Sequence, residues 1–184
     1  LDQRQANSIV SYVTGAHKTI ATAATNFKEE GSSGASFNEY YQKGILLGEG
    51  AFASVHRCTH KNTGFTYAVK EIDISGRKVK ELKTLESEID VLKFVRGGPS
   101  ILRLLDVYRE QHKFYIILEE MKGGDLLDRI LEKDVYTESE ARTLCKHFFE
   151  AVNYCHRKRI AHRDIKLDNV LLAVSTFGGR NKGF

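Results

Sequence analysis

Four short stretches of this chain carry residue types that could do chemistry together. The densest is HRDIKLDN, which packs a histidine, an arginine, two aspartates, a lysine and an asparagine into the eight residues His162–Asn169. Such a concentration of ionisable and hydrogen-bonding groups is usual for an active site. Upstream, Gly48-Glu49-Gly50-Ala51-Phe52-Ala53-Ser54-Val55 reads as a glycine turn. Its backbone amides could approach a phosphate closely because no side chain stands in the way, although hairpins also need glycine for positive φ. In Ala68-Val69-Lys70, strand alternation puts Ala68 and Lys70 on one face. A small residue beside an ammonium suits a flat ring and a phosphate; a solvated edge lysine is the plainer reading. Glu88 lies three residues after Leu85 and four before Leu92, so it flanks an apolar helical stripe. It either pairs with a cation such as Lys70, since an unpaired charge near a core is costly, or reaches solvent along its stem.

These residues need elements to hold them. From about Asn38, KGILLGEGAFASVHRCTHKNTGFTYAVKEIDI reads as two strands around the glycine turn, a second turn at KNTG and a third strand. Leu82, Leu85, Ile89 and Leu92 then step at helical spacing over 78–96, and GGPS at 97–100 stops that helix. Two strands follow, around 101–109 and 113–120. GGD at 123–125 marks a change to helices. A short one is lined by Leu126, Leu127, Ile130 and Leu131, and a longer one opens at Thr137-Glu-Ser-Glu140, a capping box. The apolar stripe of the longer helix is Ala141, Leu144, Phe148, Val152 and Cys155. Strands with one helix, followed by helices, give an α+β chain in two lobes. The glycine turn leads into a strand, which disfavours a dinucleotide-binding βαβ unit.

Residues 1–37 read as an extension. Ile9, Val10, Val13, Ala16 and Ile20 fall at loosely helical spacing, followed by GSSGAS at 31–36, a linker signal; this segment is expected to be flexible or partly helical. No apolar run approaches the roughly 18 residues of a membrane span, so no membrane partner is expected. Cys58, Cys145 and Cys155 make no Cys-x-x-Cys pair, pointing to a reducing, intracellular compartment, cytoplasmic or nuclear. Cys145 and Cys155 read as core thiols. His56, Cys58 and His60 alternate onto one strand face, but zinc wants four ligands and no fourth is evident, so that face is expected to be solvated. The net charge of +4 is mild. The basic run His156-Arg157-Lys158-Arg159 lacks the aromatic-plus-basic platform of a nucleic-acid site, and nucleic acid is not an expected partner.

Taken in order, Gly-x-Gly-x-x-Ala-x-Val, Ala-x-Lys, a helical Glu and His-Arg-Asp-x-Lys-x-x-Asn resemble the eukaryotic protein kinases over about residues 38–176. The resemblance implies a five-stranded small lobe with one main helix over 38–118, a hinge at 119–124 and the start of a helical large lobe over 125–184. It implies ATP and Mg2+ as cofactors and a protein Ser/Thr hydroxyl as acceptor. Gly48 and Gly50, with Leu47 beside them, would cover the phosphates, Ala53 replacing a third glycine. Lys70, oriented by Glu88, would hold the α/β-phosphates. Val55, Ala68 and Leu171 would sandwich the adenine, Leu118 would stand behind it, and the backbones of Glu119 and Met121 would bond its edge. Asp125 would reach the ribose or a basic substrate residue. Asp164 would take the hydroxyl proton, Lys166 would stabilise the transferred phosphoryl, and Asn169 would hold magnesium. Lys166 follows the serine/threonine pattern. GGDLLDRI and LGEGAFASVHRC resemble the calcium/calmodulin-dependent group, although Leu167-Asp168 stands where that group usually has Pro-Glu. Control by calmodulin is not visible in this chain.

The same resemblance calls for an Asp-Phe-Gly element, because magnesium wants carboxylate oxygen. After Asp168 this sequence contains no Asp or Glu. Thr176-Phe177-Gly178 lies too close to Asn169 and lacks the charge, so VSTFGGRNKGF reads as the turn of a hairpin cut before its second strand. The expectation is a kinase sequence truncated within its catalytic domain, inactive alone, with a marginal large lobe. The alternative is a short pseudokinase that binds nucleotide or a partner without catalysis.

Overall fold

The computed structural model describes residues 10–12, 36–50, 53–132 and 135–173. It divides into two compact units. Among the described residues, the first comprises 36–50, 53–97 and 102–120, and the second 10–12, 98–101, 121–132 and 135–173.

The first unit is a five-stranded antiparallel sheet with two helices. Its strands are β2 (Tyr41–Glu49), β3 (Ala53–His60), β4 (Thr66–Asp73), β5 (Leu104–Arg109) and β6 (Lys113–Leu118), in the spatial order β2-β3-β4-β6-β5. The central strands β4 and β6 are rich in β-branched or aromatic residues, and turn chemistry separates the strands. One face carries a buried cluster of Cys58, Val69, Tyr115 and Ile117, joined by Tyr41, Tyr108 and Phe37. Phe37 starts the one-turn helix α1 (Phe37–Tyr40) and stacks on Tyr115 at 4.6 Å between ring centroids. Glu110 caps α1 from a distance, accepting from Ser36 Oγ at 3.0 Å and from the Phe37 amide at 3.1 Å.

This cluster corrects two sequence expectations. Phe37, assigned to the extension, is 1% exposed and belongs to the sheet's core. The His56-Cys58-His60 face is not solvated, because the aromatic cluster covers it. Cys58 is completely buried, and burial, with the Glu120 charge adding to it, pushes its thiol up to about 12.

The helix α2 (Val79–Val95) buries Leu85, Ile89, Leu92 and Val95, three of them from the stripe that the spacing predicts. Arg109 of β5 pairs with Glu86 of α2 at 2.5 Å.

The second unit contains α3 (Leu126–Glu132), α4 (Glu138–Arg157), the short strands β1 (Val10–Tyr12) and β7 (Val170–Leu172), and a 3-10 turn at Leu167–Asn169. Its core is Leu126, Val170 and Leu172, with Leu144 and Phe148 of α4 packed against them. Thr137 caps α4 reciprocally with Glu140, as the sequence predicts. Of the predicted α4 stripe, Leu144, Phe148, Val152 and Cys155 are half-buried. Cys145, expected in the core, is exposed; it follows Leu144 directly and so turns off the buried stripe.

Val10–Tyr12 is strand rather than helix, pairing antiparallel with Val170–Leu172 in the register Val10↔Leu172, Ser11↔Leu171, Tyr12↔Val170. Val10 and Tyr12 are residues that favour strand, and partnership with β7 overrides the loose helical spacing. The rest of the predicted extension, 1–9 and 13–35, and the hairpin turn expected at 174–184 lie outside the described residues. Among the described residues no helix is long and apolar enough to cross a membrane.

Candidate active site

The first unit brings one set of the predicted residues onto a single sheet face. Register places Val55 of β3 opposite Lys70 of β4, and Ala68 of β4 opposite Leu118 of β6. Facing residues in an antiparallel pair project to the same side, so these four form one patch. Ala68 and Leu118 are buried, and Val55 and Lys70 are half-buried. Burial holds the Lys70 ammonium below the usual lysine range, and the Glu88 carboxylate of α2 works in the opposite direction. Among the described residues no ion pair within 4.0 Å joins Glu88 to Lys70.

Gly48 and Gly50 flank the turn between β2 and β3, whose tip residues 51–52 lie outside the described residues. Gly48 sits across from Val55, and the Gly50 amide donates to the Ala53 carbonyl at 2.8 Å. Neither has positive φ. Among the described residues a Cβ on Gly48 would meet nothing within 4 Å, and one on Gly50 only the Ala53 oxygen at 3.7 Å. The backbone and its packing thus give no reason for glycine at either position, unlike Gly64, whose φ of +72° does. What remains is room for a close-approaching ligand above the strand pair. Leu47, just before this turn, is exposed on β2. After β6, the Glu119 amide donates to the Arg103 carbonyl at 3.1 Å, and the Glu119 side chain accepts from the Arg103 amide at 2.7 Å. That leaves the Glu119 carbonyl as its backbone group for any base edge.

The second unit assembles the others around β7. Gly123 donates to the Leu172 carbonyl at 2.8 Å and Leu172 to the Gly124 carbonyl at 2.8 Å, while Asp125 bridges Leu171. The segment after Met121 thereby runs along β7 beside the half-buried Leu171. A Cβ on Gly123 would lie 2.6 Å from the Leu172 carbonyl oxygen, so that approach demands glycine. Asp125 has a structural task as well: it caps α3, its Oδ1 accepting from the Asp128 amide at 2.8 Å.

The His162–Asn169 loop is closed by local hydrogen bonds. Arg163 adopts φ of 68°, and the Asp164 amide donates to His162 Nδ1 at 3.2 Å. Asn169 Nδ2 donates to the Asp164 carbonyl at 2.8 Å and to its Oδ2 at 2.9 Å. Both partners are acceptors, so the nitrogen side of the amide faces Asp164 and Asn169 keeps Oδ1 for another partner. Lys166 Nζ stands 3.8 Å from Asp164 Oδ2 and 4.0 Å from Asp168 Oδ2. The result is an accessible carboxylate with its orientation held from one side and a cation beside it. Such a pair can accept a proton while offsetting negative charge nearby.

Two charged clusters escaped the sequence reading. Glu71 is buried between Lys43 at 2.9 Å and Lys113; burial alone would raise its pKa, but the two lysines hold it below the usual carboxylate range. Arg57 binds the buried Glu120. A lysine or arginine on a strand carries no local signal of a partner dozens of residues away.

Comparison with known proteins adds the following. Residues 41–177 match the protein kinase domain. The chain is 38% identical over 141 residues to the MAP kinase-interacting serine/threonine-protein kinase mnk-1 of Caenorhabditis elegans, covering 76% of this chain and 20% of that protein. It is 34% identical over 146 residues to the calcium/calmodulin-dependent protein kinase type II alpha chain of Drosophila melanogaster, covering 79% and 27%. With the CBL-interacting serine/threonine-protein kinase 8 of Arabidopsis thaliana it shares 40% over 145 residues, covering 75% and 32%. The chain thus spans a third or less of the length of these relatives.

Proposed function

The chain belongs to the protein kinase family, and on that premise we propose that it carries the catalytic groups of a serine/threonine kinase. The reaction moves the γ-phosphoryl group of ATP to a Ser or Thr hydroxyl of a protein substrate: a new O–P bond forms, the bond to ADP breaks, and the hydroxyl proton goes to Asp164. The observation that carries this reading is the Asn169 amide nitrogen donating to both the carbonyl and the carboxylate of Asp164 while Lys166 stands beside the same carboxylate. Lys166 offsets charge on the phosphoryl in flight, where cations count most.

The sheet residues supply the binding half. Val55 and Ala68 take a face of the adenine, Leu118 lies behind it, and the Glu119 carbonyl meets its edge. Lys70 meets the α/β-phosphates under Gly48 and Gly50. Asp125 retains one carboxylate oxygen for a ribose hydroxyl or a basic substrate residue. Magnesium fits the donor chemistry of Asn169 Oδ1, with phosphate oxygens and water completing the shell; when bound, it would neutralise charge on the phosphates. The three cysteines and the ATP requirement suit an intracellular setting.

The alternative is nucleotide binding without transfer. One experiment separates the two. The full-length protein is incubated with ATP, magnesium and Ser/Thr peptides, and phosphorylation is followed beside nucleotide binding. Transfer that Asp164→Ala abolishes supports the kinase; binding with no transfer supports the second reading.

A further inference from the structure

Arg57 and Glu120 form an ion pair that the functional assignment above does not use. Arg57 lies across β3–β4 from Ala68, and Ala68 lies across β4–β6 from Leu118. These three therefore make one row on the face that also carries Val55 and Lys70. Glu120 lies two residues past Leu118, the last residue of the sheet unit, and reaches back across β4. Its Oε1 accepts from Arg57 Nε at 2.8 Å and from Nη2 at 2.5 Å. The Glu120 side chain is 5% exposed, and its Oε2 is buried with no hydrogen-bond partner among the described residues. An exposed ion pair contributes little because water competes for both partners. Here one partner is buried, so removing Arg57 would leave an uncompensated charge inside the unit. Glu119, between Leu118 and Glu120, is held on its other side by Arg103.

Resting on the reading that adenine lies against this row, we propose that Arg57 and Glu120 are positioning residues for the nucleotide. Arg57 crosses β4 to hold Glu120, and this sets the height of the Glu119 carbonyl relative to the Val55–Ala68 surface. The pair acts on nucleotide affinity and leaves the transfer step alone, because neither residue touches the reacting atoms.

The test uses the full-length protein and measures KM for ATP, kcat and thermal unfolding in the wild type, Arg57→Leu, Arg57→Lys and the double variant Arg57→Leu/Glu120→Leu. Arg57→Leu is expected to raise KM for ATP roughly fivefold to tenfold with kcat within about twofold, and to lower the unfolding temperature. Arg57→Lys, which keeps the charge but loses the planar fork, recovers part of the affinity. The double variant regains the unfolding temperature, since no unpaired charge remains buried, while its KM stays raised. If KM returns to the wild-type value together with stability, the pair only fills space and the inference is overturned. An unchanged KM in Arg57→Leu overturns it equally. A wild-type protein that neither binds ATP nor transfers its phosphoryl group would overturn the kinase reading, and this inference with it.

Discussion

Lys70 stands inside a sheet whose far side is packed with aromatic rings, whereas Asp164 stands on a loop that is largely exposed. Residues 58, 69, 115 and 117 form the buried layer beneath β3, β4 and β6. The strands above them inherit their positions from that layer, so Val55, Ala68, Lys70 and Leu118 are placed by register alone. Asp164 has no such layer. It is oriented by Asn169, five residues on, and by the backbone turn around Arg163. A sheet places a group where charge is costly, as the lowered Lys70 pKa records. A hydrogen-bonded loop places a group where it stays accessible to a second substrate. Changes in the sheet should therefore trade stability against affinity, and changes in the loop should remove chemistry with little effect on folding.

The largest effect belongs to the loop. Asp164→Ala in the full-length protein should lower kcat on the order of 10²–10⁴-fold, the usual worth of a positioned proton acceptor, with KM for ATP changed by no more than a few-fold. Its unfolding temperature should stay near wild type, because the Asp164 side chain is 48% exposed and gives up one hydrogen bond from Asn169 and an exposed ion pair with Lys166, which contributes little. A large drop in stability would remove the contrast between the two units.

Lys70→Met tests the other side. Transfer and ATP affinity should fall on the order of 10²-fold as a phosphate-binding cation disappears. The unfolding temperature should hold or rise, since the sheet gives up a charge that burial disfavours. Nucleotide affinity of the wild type should also fall as pH rises through the depressed Lys70 pKa, since the neutral amine no longer attracts phosphate. Calorimetric titration of ATP across alkaline pH checks this, and a flat profile would show that Lys70 makes no charged contact with the nucleotide.

Glycine substitutions separate fold from function within the same comparison. Gly123→Ala should cost about 1–3 kcal/mol, because backbone of Leu172 stands in the way and cannot move like a side chain. Gly48→Ala should change stability by less than about 0.5 kcal/mol, since its Cβ meets nothing among the described residues, yet weaken ATP binding. Denaturant unfolding and ATP titration of both variants give the two readouts, and equal stability losses would contradict the open space above β2.

Much of this arrangement was legible in the sequence because it is local. Strand alternation put Ala68 and Lys70 together, helical spacing found Leu85, Ile89 and Leu92, and the Thr137-Glu140 cap marked the start of α4. The His162–Asn169 loop reads as a unit because its hydrogen bonds span five residues or fewer. Contacts made by segments distant in sequence were not legible. The α1 cap links Ser36 to Glu110, 74 residues on, and Arg57 meets Glu120 across 63. Val10–Tyr12 pairs with Val170–Leu172. No local periodicity encodes such partnerships, because a three-residue strand becomes one only when an edge is offered to it.

His162 gives the smallest expected effect and the finest test of the loop. Burial holds its imidazole below the ordinary histidine range, with the Asp164 charge opposing the shift in part. The geometry agrees, since Nδ1 accepts the Asp164 amide and a proton there would break that bond. With the folded pKa lower than the unfolded value near 6.5, the unfolded chain binds more protons in the window between them. Stability contributed by neutral His162 is therefore present above about pH 6.5 and is lost as pH falls toward the folded pKa. Between pH 7.5 and 5.5 the wild type should lose more unfolding temperature than His162→Gln, whose amide oxygen can accept the same N–H without titrating. Hydrogen exchange at the Asp164 amide should rise over the same interval in the wild type alone. Identical pH profiles for the two proteins would mean that the loop is held by Asn169 and not by the histidine.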